Sequence, residues 1–117
     1  MTAPRILIVE DDAFVALLLE YTLVRLGYSV CGIEYTEDAA VATAIRCCPD
    51  AMVVDVGLLQ GSGIRAVDRI LHQRYVPHVF ISGNKLDGAG LHPFAIRLHK
   101  PFRDVDLAAS LSKVFSF

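Results

Sequence analysis

The sequence lacks an excess of charge of one sign, a long uninterrupted apolar run and a cysteine framework, and each absence excludes a class of protein. Its 11 basic and 13 acidic residues give a net charge of -2, so general attraction to nucleic-acid phosphates or anionic lipid is not its main function. The most apolar stretch, 14–26, is interrupted by Glu20 and Arg25 and is shorter than the roughly 20 residues of a membrane span. Three cysteines, without a CxxC pair or histidines at zinc spacing, exclude a disulfide framework and a zinc site.

What remains is a chain that should fold as one unit. It is 54% hydrophobic, and no repeat, low-complexity tract or linker-like stretch divides its 117 residues. We therefore expect one domain over residues 1–117. The N-terminal residues do not resemble a signal peptide, so we expect a cytoplasmic protein with no membrane partner and no direct nucleic-acid partner.

Short apolar runs alternate with helical patterns along the chain. The run Ile6-Leu7-Ile8-Val9 ends abruptly at acidic residues, as expected of a strand buried on both faces in a parallel sheet. The predicted strands are 6–9, 28–35, 51–55, 78–82 and 94–99, and the predicted helices are 14–26, 37–48, 64–74 and 103–115. This alternation predicts a small doubly wound α/β fold with a five-stranded parallel sheet. The segment from Gly83 to Pro93 is rich in glycine, so the helix expected between strands four and five is short, irregular or missing.

Polar side chains end or follow four of the predicted strands, at the edge where parallel sheets bind ligands. They are Glu10, Asp11 and Asp12 after the first strand, Asp55 at the end of the third, Ser82 at the end of the fourth, and Lys100 after the fifth. Carboxylates brought together repel one another unless a cation lies among them, and oxygen-only ligands suit magnesium. Taken singly, each has a plainer interpretation as a helix cap, turn or surface residue, and for Asp12 we expect only that role.

Taken together, these segments resemble the receiver domains of two-component response regulators, and the resemblance covers the whole chain. The matching pieces are ILIVEDD at 6–12, VVD at 53–55, SG at 62–63, VFISG at 79–83 and KPF at 100–102. The order and separation of the pieces make the match specific. The resemblance implies a flavodoxin-like sheet with strand order 2-1-3-4-5, a Mg²⁺ cofactor and a phosphoryl group carried on an aspartate.

The resemblance also implies which residues bind the metal. Asp55 looks like the phosphoacceptor and, with Asp11, like a carboxylate ligand of Mg²⁺. Gly57 looks like a ligand through its backbone carbonyl. Glu10 would act through a metal-bound water.

A second set of matching positions would bind the phosphoryl group. The Ser82 hydroxyl and the backbone N–H of Gly83 would bind the phosphoryl oxygens, and Lys100 would clamp them with its positive charge. The Lys100-Pro101 pair resembles the cis peptide of the family. The physical chemistry agrees, because an aspartate that attacks phosphorus needs charge stabilisation at the equatorial oxygens more than covalent help.

The function implied is that of a receiver in a phosphorelay. It would accept a phosphoryl group from a histidine kinase or histidine phosphotransfer protein and signal by binding a partner, catalysing only its own phosphorylation and dephosphorylation. One alternative is a pseudo-receiver, an interaction module that is never phosphorylated. Another is an aspartate-dependent phosphatase, which is disfavoured because no second aspartate follows Asp55 at the required spacing and no GxxxxGK[ST] motif is present.

Several positions depart from the family pattern. Leu59 stands where the family often has proline, which leaves the 57–63 loop less restrained. Ser82 replaces the commoner threonine, and Arg97 occupies the position of an aromatic switch residue, so the usual switch is in doubt. The short segment between Ser82 and Lys100 is similar to that of a subgroup of single-domain regulators with an irregular fourth helix.

The first predicted helix is apolar almost all the way round. A helix that covers one face of a sheet needs only an apolar stripe, so part of the surface of residues 14–26 should meet another protein. A kinase or phosphotransfer protein is the first hypothesis, homodimerisation through this helix is the second, and scattered exposed apolar residues are the plain alternative.

Overall fold

Five parallel strands form one sheet with helices on both faces, in a computed structural model that describes residues 2–83, 91 and 95–116. The strands are β1 (Arg5–Val9), β2 (Ser29–Glu34), β3 (Ala51–Asp55), β4 (His78–Ser82) and β5 (Ile96–His99). The helices in the described part are α1 (Ala13–Arg25), α2 (Glu37–Cys47), α3 (Gly63–Leu71) and α4 (Asp104–Phe115). The strand order β2-β1-β3-β4-β5 confirms the predicted order. The helix expected to be short or missing between strands four and five falls on residues 84–90 and 92–94, which lie outside the described residues.

The third helix ends three residues before its predicted end at 74. Its cap, His72, donates its backbone N–H to the carbonyl of Asp68 at 3.2 Å, and the backbone N–H of Arg74 bonds to Ile70. The Arg74 guanidinium turns away to the carbonyl of Pro49 at 3.3 Å, a contact 25 residues distant in sequence. The other element boundaries match the prediction or differ from it by one or two residues, the uncertainty expected at frayed ends.

Both faces of the sheet are covered, which explains why the strands are continuous apolar runs. On one face Leu7 and Val9 of β1 pack with α2 and α3, and on the other face Ile6 and Ile8 pack with α1 and α4. All four are at most 1% exposed. None of the helices in the described ranges is both long and apolar enough to cross a bilayer.

Strand register brings the polar strand ends to one edge. Val9 of β1 is paired with Val54 of β3, so the next residue of each strand places Glu10 beside Asp55. On the other side of β3, Ser82 of β4 is paired with His99 of β5, and Lys100 follows directly. Since all the strands are parallel, these side chains meet where the helices begin.

Helix caps supply part of this geometry. Asp12 is the N-cap of α1, and its Oδ1 accepts from the N–H groups of Phe14 at 3.0 Å and Val15 at 3.2 Å. This is the plain structural role predicted for Asp12. It leaves Glu10 and Asp11 as the acids that face the sheet edge.

His78, at the start of β4, makes the stability of the folded chain depend on pH. Burial lowers the pKa of His78, although the carbonyl oxygen of Val76, 2.8 Å from Nδ1, opposes that shift. Its ring packs against Phe80, with centroids 5.2 Å apart. Because the folded-state pKa lies below the unfolded value of 6.5, the unfolded chain takes up the proton first on acidification. The stabilising contribution is therefore complete above that value and is lost as the pH falls below it.

His78→Phe should remove this acid sensitivity while keeping an aromatic ring beside Phe80. Between about pH 7.5 and pH 5.5 the parent is expected to lose up to about 1.4 kcal/mol more unfolding free energy than the variant, the limit set by an unfolded pKa near 6.5. Urea unfolding followed by circular dichroism at both pH values measures this difference. Equal losses in the two proteins would show that His78 does not titrate differently in the folded state.

Candidate functional site

Three carboxylates gather at the carboxyl ends of β1 and β3. Glu10, Asp11 and Asp55 each offer one oxygen within 4.8 Å of the others. Glu10 is 1% exposed and Asp55 7% exposed, while Asp11 is half-buried. Hard oxygen donors with one side open to solvent match the preference of Mg²⁺, which keeps several waters. These residues could therefore hold a magnesium ion.

Lys100 reaches into this acidic cluster from the end of β5. Its Nζ donates to Oδ2 of Asp55 at 3.0 Å and to Oε1 of Glu10 at 3.3 Å. Burial opposes the charged form of Lys100, but the hydrogen bond and the charges of Asp55 and Glu10 outweigh it and raise its pKa. The ammonium therefore remains charged and is held between two carboxylates.

One ammonium does not neutralise the cluster. Burial, together with the negative charge of Asp55, raises the pKa of Glu10 to about 7, although the Asp12 N–H and the Lys100 ammonium favour the ionised form. The Asp12 N–H donates to Oε2 of Glu10 at 3.1 Å. Such repulsion among buried carboxylates is relieved by a further positive charge. The electrostatics thus agree with the donor set in pointing to a cation.

The loop after β3 is tied to the same carboxylates. The backbone N–H of Gly57 donates to Oδ1 of Asp55 at 2.9 Å, which places Gly57 beside the cluster. The backbone N–H of Leu59 donates to Oδ2 of Asp11 at 2.7 Å. Proline has no N–H and could not make this second bond. The loop, which the sequence predicts to be less restrained without proline, is held instead by a hydrogen bond that leucine permits.

Ser82 and Gly83 lie at the same edge. Ser82 is 4% exposed at the end of β4, and its carbonyl accepts the Lys100 N–H at 2.8 Å. A Cβ added to Gly83 would lie 3.8 Å from the side chain of Lys100. The Lys100–Pro101 peptide bond is cis, as the resemblance implied. The structure therefore brings together all seven residues predicted for the site, which are Glu10, Asp11, Asp55, Gly57, Ser82, Gly83 and Lys100.

One charged residue near the site, Glu37, was not identified as a site residue from the sequence. Glu37 was predicted only as an acid in the first turn of a helix, yet its carboxylate accepts from the backbone N–H of Ser62 at 2.9 Å, in the same loop as Gly57. Nothing in the sequence signals this contact, because the two residues are 25 positions apart. Arg97, at the usual position of an aromatic switch residue, is exposed on β5.

Several known proteins similar to this chain are named as regulators or response regulators. The phyllosphere-induced regulator PhyR of Methylorubrum extorquens is 33% identical over 98% of the chain, which spans 45% of that protein. The receiver domain of PhyR from Erythrobacter litoralis has a TM-score of 0.88 at 29% identity, covering all of this chain and 93% of that one. PhyR from Bartonella quintana, termed an anti-anti-sigma factor, has a TM-score of 0.86 at 29% identity, covering all of this chain and 49% of that one.

The curated relatives are all much longer than this chain. The chain spans less than half the length of the curated relatives it matches. No protein-family model matches it. The similarity therefore concerns one part of those longer proteins.

Proposed function

We propose that this chain, which belongs to the receiver domains of response regulators, accepts a phosphoryl group from a phosphohistidine onto Asp55 in a Mg²⁺-dependent reaction. The observation that supports this best is the Lys100 ammonium held between Asp55 and Glu10, with Asp11 in the same cluster. We propose further that residues 1–117 form one cytoplasmic receiver domain that acts on no substrate but itself.

The proposed reaction joins one oxygen of Asp55 to the phosphorus. The P–N bond of the phosphohistidine breaks, and its electron pair leaves with the imidazole of the donor. Lys100 would neutralise the negative charge that develops on the phosphoryl oxygens, and the Ser82 hydroxyl and Gly83 N–H would donate to them.

Asp11, Asp55, the Gly57 carbonyl and, through a water, Glu10 would hold Mg²⁺ beside this group. Bound there, the ion would supply positive charge to the phosphoryl oxygens. The half-buried position of Asp11 leaves one side of the cluster open, which suits an ion that retains several waters. The chain itself contributes the remaining positive charge through Lys100.

A small phosphodonor tests the proposal without a cognate kinase. After incubation with acetyl phosphate and MgCl₂, intact-mass spectrometry should show the gain of one phosphoryl group, and an excess of EDTA should prevent it. A chain that gains no mass with Mg²⁺, while remaining folded, would contradict the proposal and favour the pseudo-receiver.

The exposed apolar side chains of α1 support the proposal that another protein binds to this helix. Ala16, Leu19 and Leu23 face the sheet, whereas a second apolar stripe remains exposed on the helix. This stripe consists of Phe14, Leu17, Leu18, Tyr21 and Val24, which are 51–70% exposed. Its i, i+3, i+4, i+7 spacing suits a helix of another protein laid alongside. Apolar residues therefore lie on both the buried and the exposed sides of α1, as the sequence predicts.

A phosphohistidine donor, either a histidine kinase or a histidine phosphotransfer protein, is the proposed partner for this stripe, because α1 begins directly after Glu10, Asp11 and Asp12. Homodimerisation through the same stripe is the alternative. Sedimentation of the free chain separates the two, since only the alternative makes the mass depend on concentration. The output we propose is binding to a further protein, the class of output indicated by the term anti-anti-sigma for the Bartonella quintana relative.

A further inference from the structure

The β3–α3 loop, residues 56–62, has two anchors, of which only one belongs to the acidic cluster. At its beginning Gly57 and Leu59 donate backbone N–H groups to Asp55 and Asp11. At its end the backbone is tied to the start of α2. Thr36 forms a parallel bridge with Gln60, and the Glu37 N–H donates to the Gln60 carbonyl at 3.2 Å.

The Glu37 side chain adds three hydrogen bonds at this second anchor. Oε1 accepts from the Ser62 N–H at 2.9 Å and from Nε of Arg65 at 3.1 Å, and Oε2 accepts from Nη1 of Arg69 at 2.9 Å. The Glu37 side chain is only 13% exposed, but Arg65 and Arg69 are 69% and 45% exposed, so the bond from the Ser62 N–H is the one that solvent screens least. The bonds from Arg69 and from the Ser62 N–H lower the pKa of Glu37, which is therefore ionised at neutral pH.

Gly61 shows how closely the loop approaches Glu37. Its φ is +89°, in the left-handed region that favours glycine, and an added Cβ would lie 2.7 Å from Oε1 of Glu37. The loop backbone therefore rests against the Glu37 side chain, from its Cβ to its carboxylate. Removing that carboxylate would take away the acceptor of the Ser62 N–H and the group packed beside Gly61, and would leave the loop end with its backbone bonds to Thr36 and Glu37.

We propose that Glu37 is a positioning residue for the phosphorylation site: by fixing the end of the β3–α3 loop it keeps Gly57 against Asp55 and Leu59 against Asp11. The expected effect of Glu37 on phosphorylation rests on the proposed function. The claim that Glu37 fixes the loop does not. Glu37 touches none of the reacting groups and acts only through the loop backbone. It adds a second restraint to the loop, at Ser62, beside the bond from the Leu59 N–H to Asp11.

The test compares Glu37→Ala and Glu37→Gln with Asp38→Asn. Asp38 is the neighbouring acid and also bonds to Arg69, but its side chain is 90% exposed and none of its contacts in the described part of the chain reaches the loop. We expect Glu37→Ala to raise the Mg²⁺ concentration for half-maximal acetyl phosphate labelling about threefold to tenfold, less than the 10- to 100-fold typical of groups bonded directly to metal ligands. The maximal rate should change less. Glu37→Gln, which keeps an acceptor for the Ser62 N–H, should lie in between, and Asp38→Asn should match the parent.

Amide hydrogen exchange provides a readout that needs neither metal nor phosphodonor. In Glu37→Ala the Ser62 and Leu59 amides should exchange faster, while the amides of β3 remain protected as in the parent. If the parent is not labelled but the loop amides respond, the proposed function fails and the geometric inference stands. Unchanged loop amides and an unchanged Mg²⁺ half-saturation in Glu37→Ala would overturn the inference while leaving the proposed function intact.

Discussion

Replacing Asp55 by asparagine is expected to abolish phosphorylation of the chain. Asparagine has nearly the same shape as aspartate but lacks the anionic oxygen that attacks phosphorus, so the loss should be complete and not partial. The substitution also removes the ion pair with Lys100 at 3.0 Å, and among the described residues it leaves Glu10 as the carboxylate paired with that ammonium. Intact-mass spectrometry after treatment with acetyl phosphate and Mg²⁺ should show no stable gain in the variant.

Asp68→Asn is the matched control for this experiment. Asp68 is exposed on α3, away from the acidic cluster, so the same substitution there should leave labelling unchanged. Circular dichroism of both variants establishes that they are folded. If Asp55→Asn is labelled as fast as the parent, another residue is the phosphoacceptor and the assignment is wrong.

Gly63→Ala is expected to cause the largest loss of stability among the substitutions considered. Gly63 begins α3 and is buried against the end of β3, where an added Cβ would lie 2.0 Å from the Asp55 carbonyl oxygen and 2.9 Å from the side chain of Val54. The oxygen belongs to the backbone of a buried strand paired with β4, so it cannot move away at low cost. Alanine normally favours a helix over glycine by about 1 kcal/mol, but overpacking costs about 1–3 kcal/mol or more, and this overlap is severe.

We therefore expect Gly63→Ala to lower the unfolding free energy by about 3 kcal/mol or more, a large part of the roughly 5–15 kcal/mol of a small domain. Urea unfolding followed by circular dichroism measures it. Gly57→Ala is the control, because a Cβ there has its nearest neighbour at 3.8 Å, an ordinary contact. Equal stability of Gly63→Ala and the parent would show that α3 does not approach Asp55 this closely. Any folded fraction of the variant should also be labelled more slowly, because Asp55 is displaced.

Sequence patterns predicted the elements and the composition of the site because both depend on local rules. A continuous apolar run that ends in an acid, as at Ile6–Glu10 or Ala51–Asp55, indicates a strand buried on both faces whose end lies at the ligand edge. Once the strands are parallel, that edge is shared, so Glu10, Asp55 and Lys100 can be grouped from the sequence alone. The apolar circumference of α1 was equally visible.

Long-range backbone contacts could not be predicted in this way. The Leu59 N–H meets Asp11 across 48 residues, and the Ser62 N–H meets Glu37 across 25. Every backbone N–H is chemically alike, so its partner depends on the path of the chain and not on residue type. The early end of α3 was missed as well, and beyond it the Arg74 guanidinium bonds to the carbonyl of Pro49, 25 residues away in sequence.

The sequence by itself determined which strand-end residues are candidates for a metal site, because carboxylate, hydroxyl and ammonium chemistry is carried by residue type, and the resemblance to receiver domains added the expected phosphoryl-binding roles. Only the tertiary structure decided how the loop that carries Gly57 is held, because that depends on the approach of α2 and α3 to the end of β3. It also decided which side of α1 remains exposed, since helix rotation is set by the packing of Ala16, Leu19 and Leu23 on the sheet. Side chains supply the chemistry, and the packing of the backbone fixes the distances at which it can act.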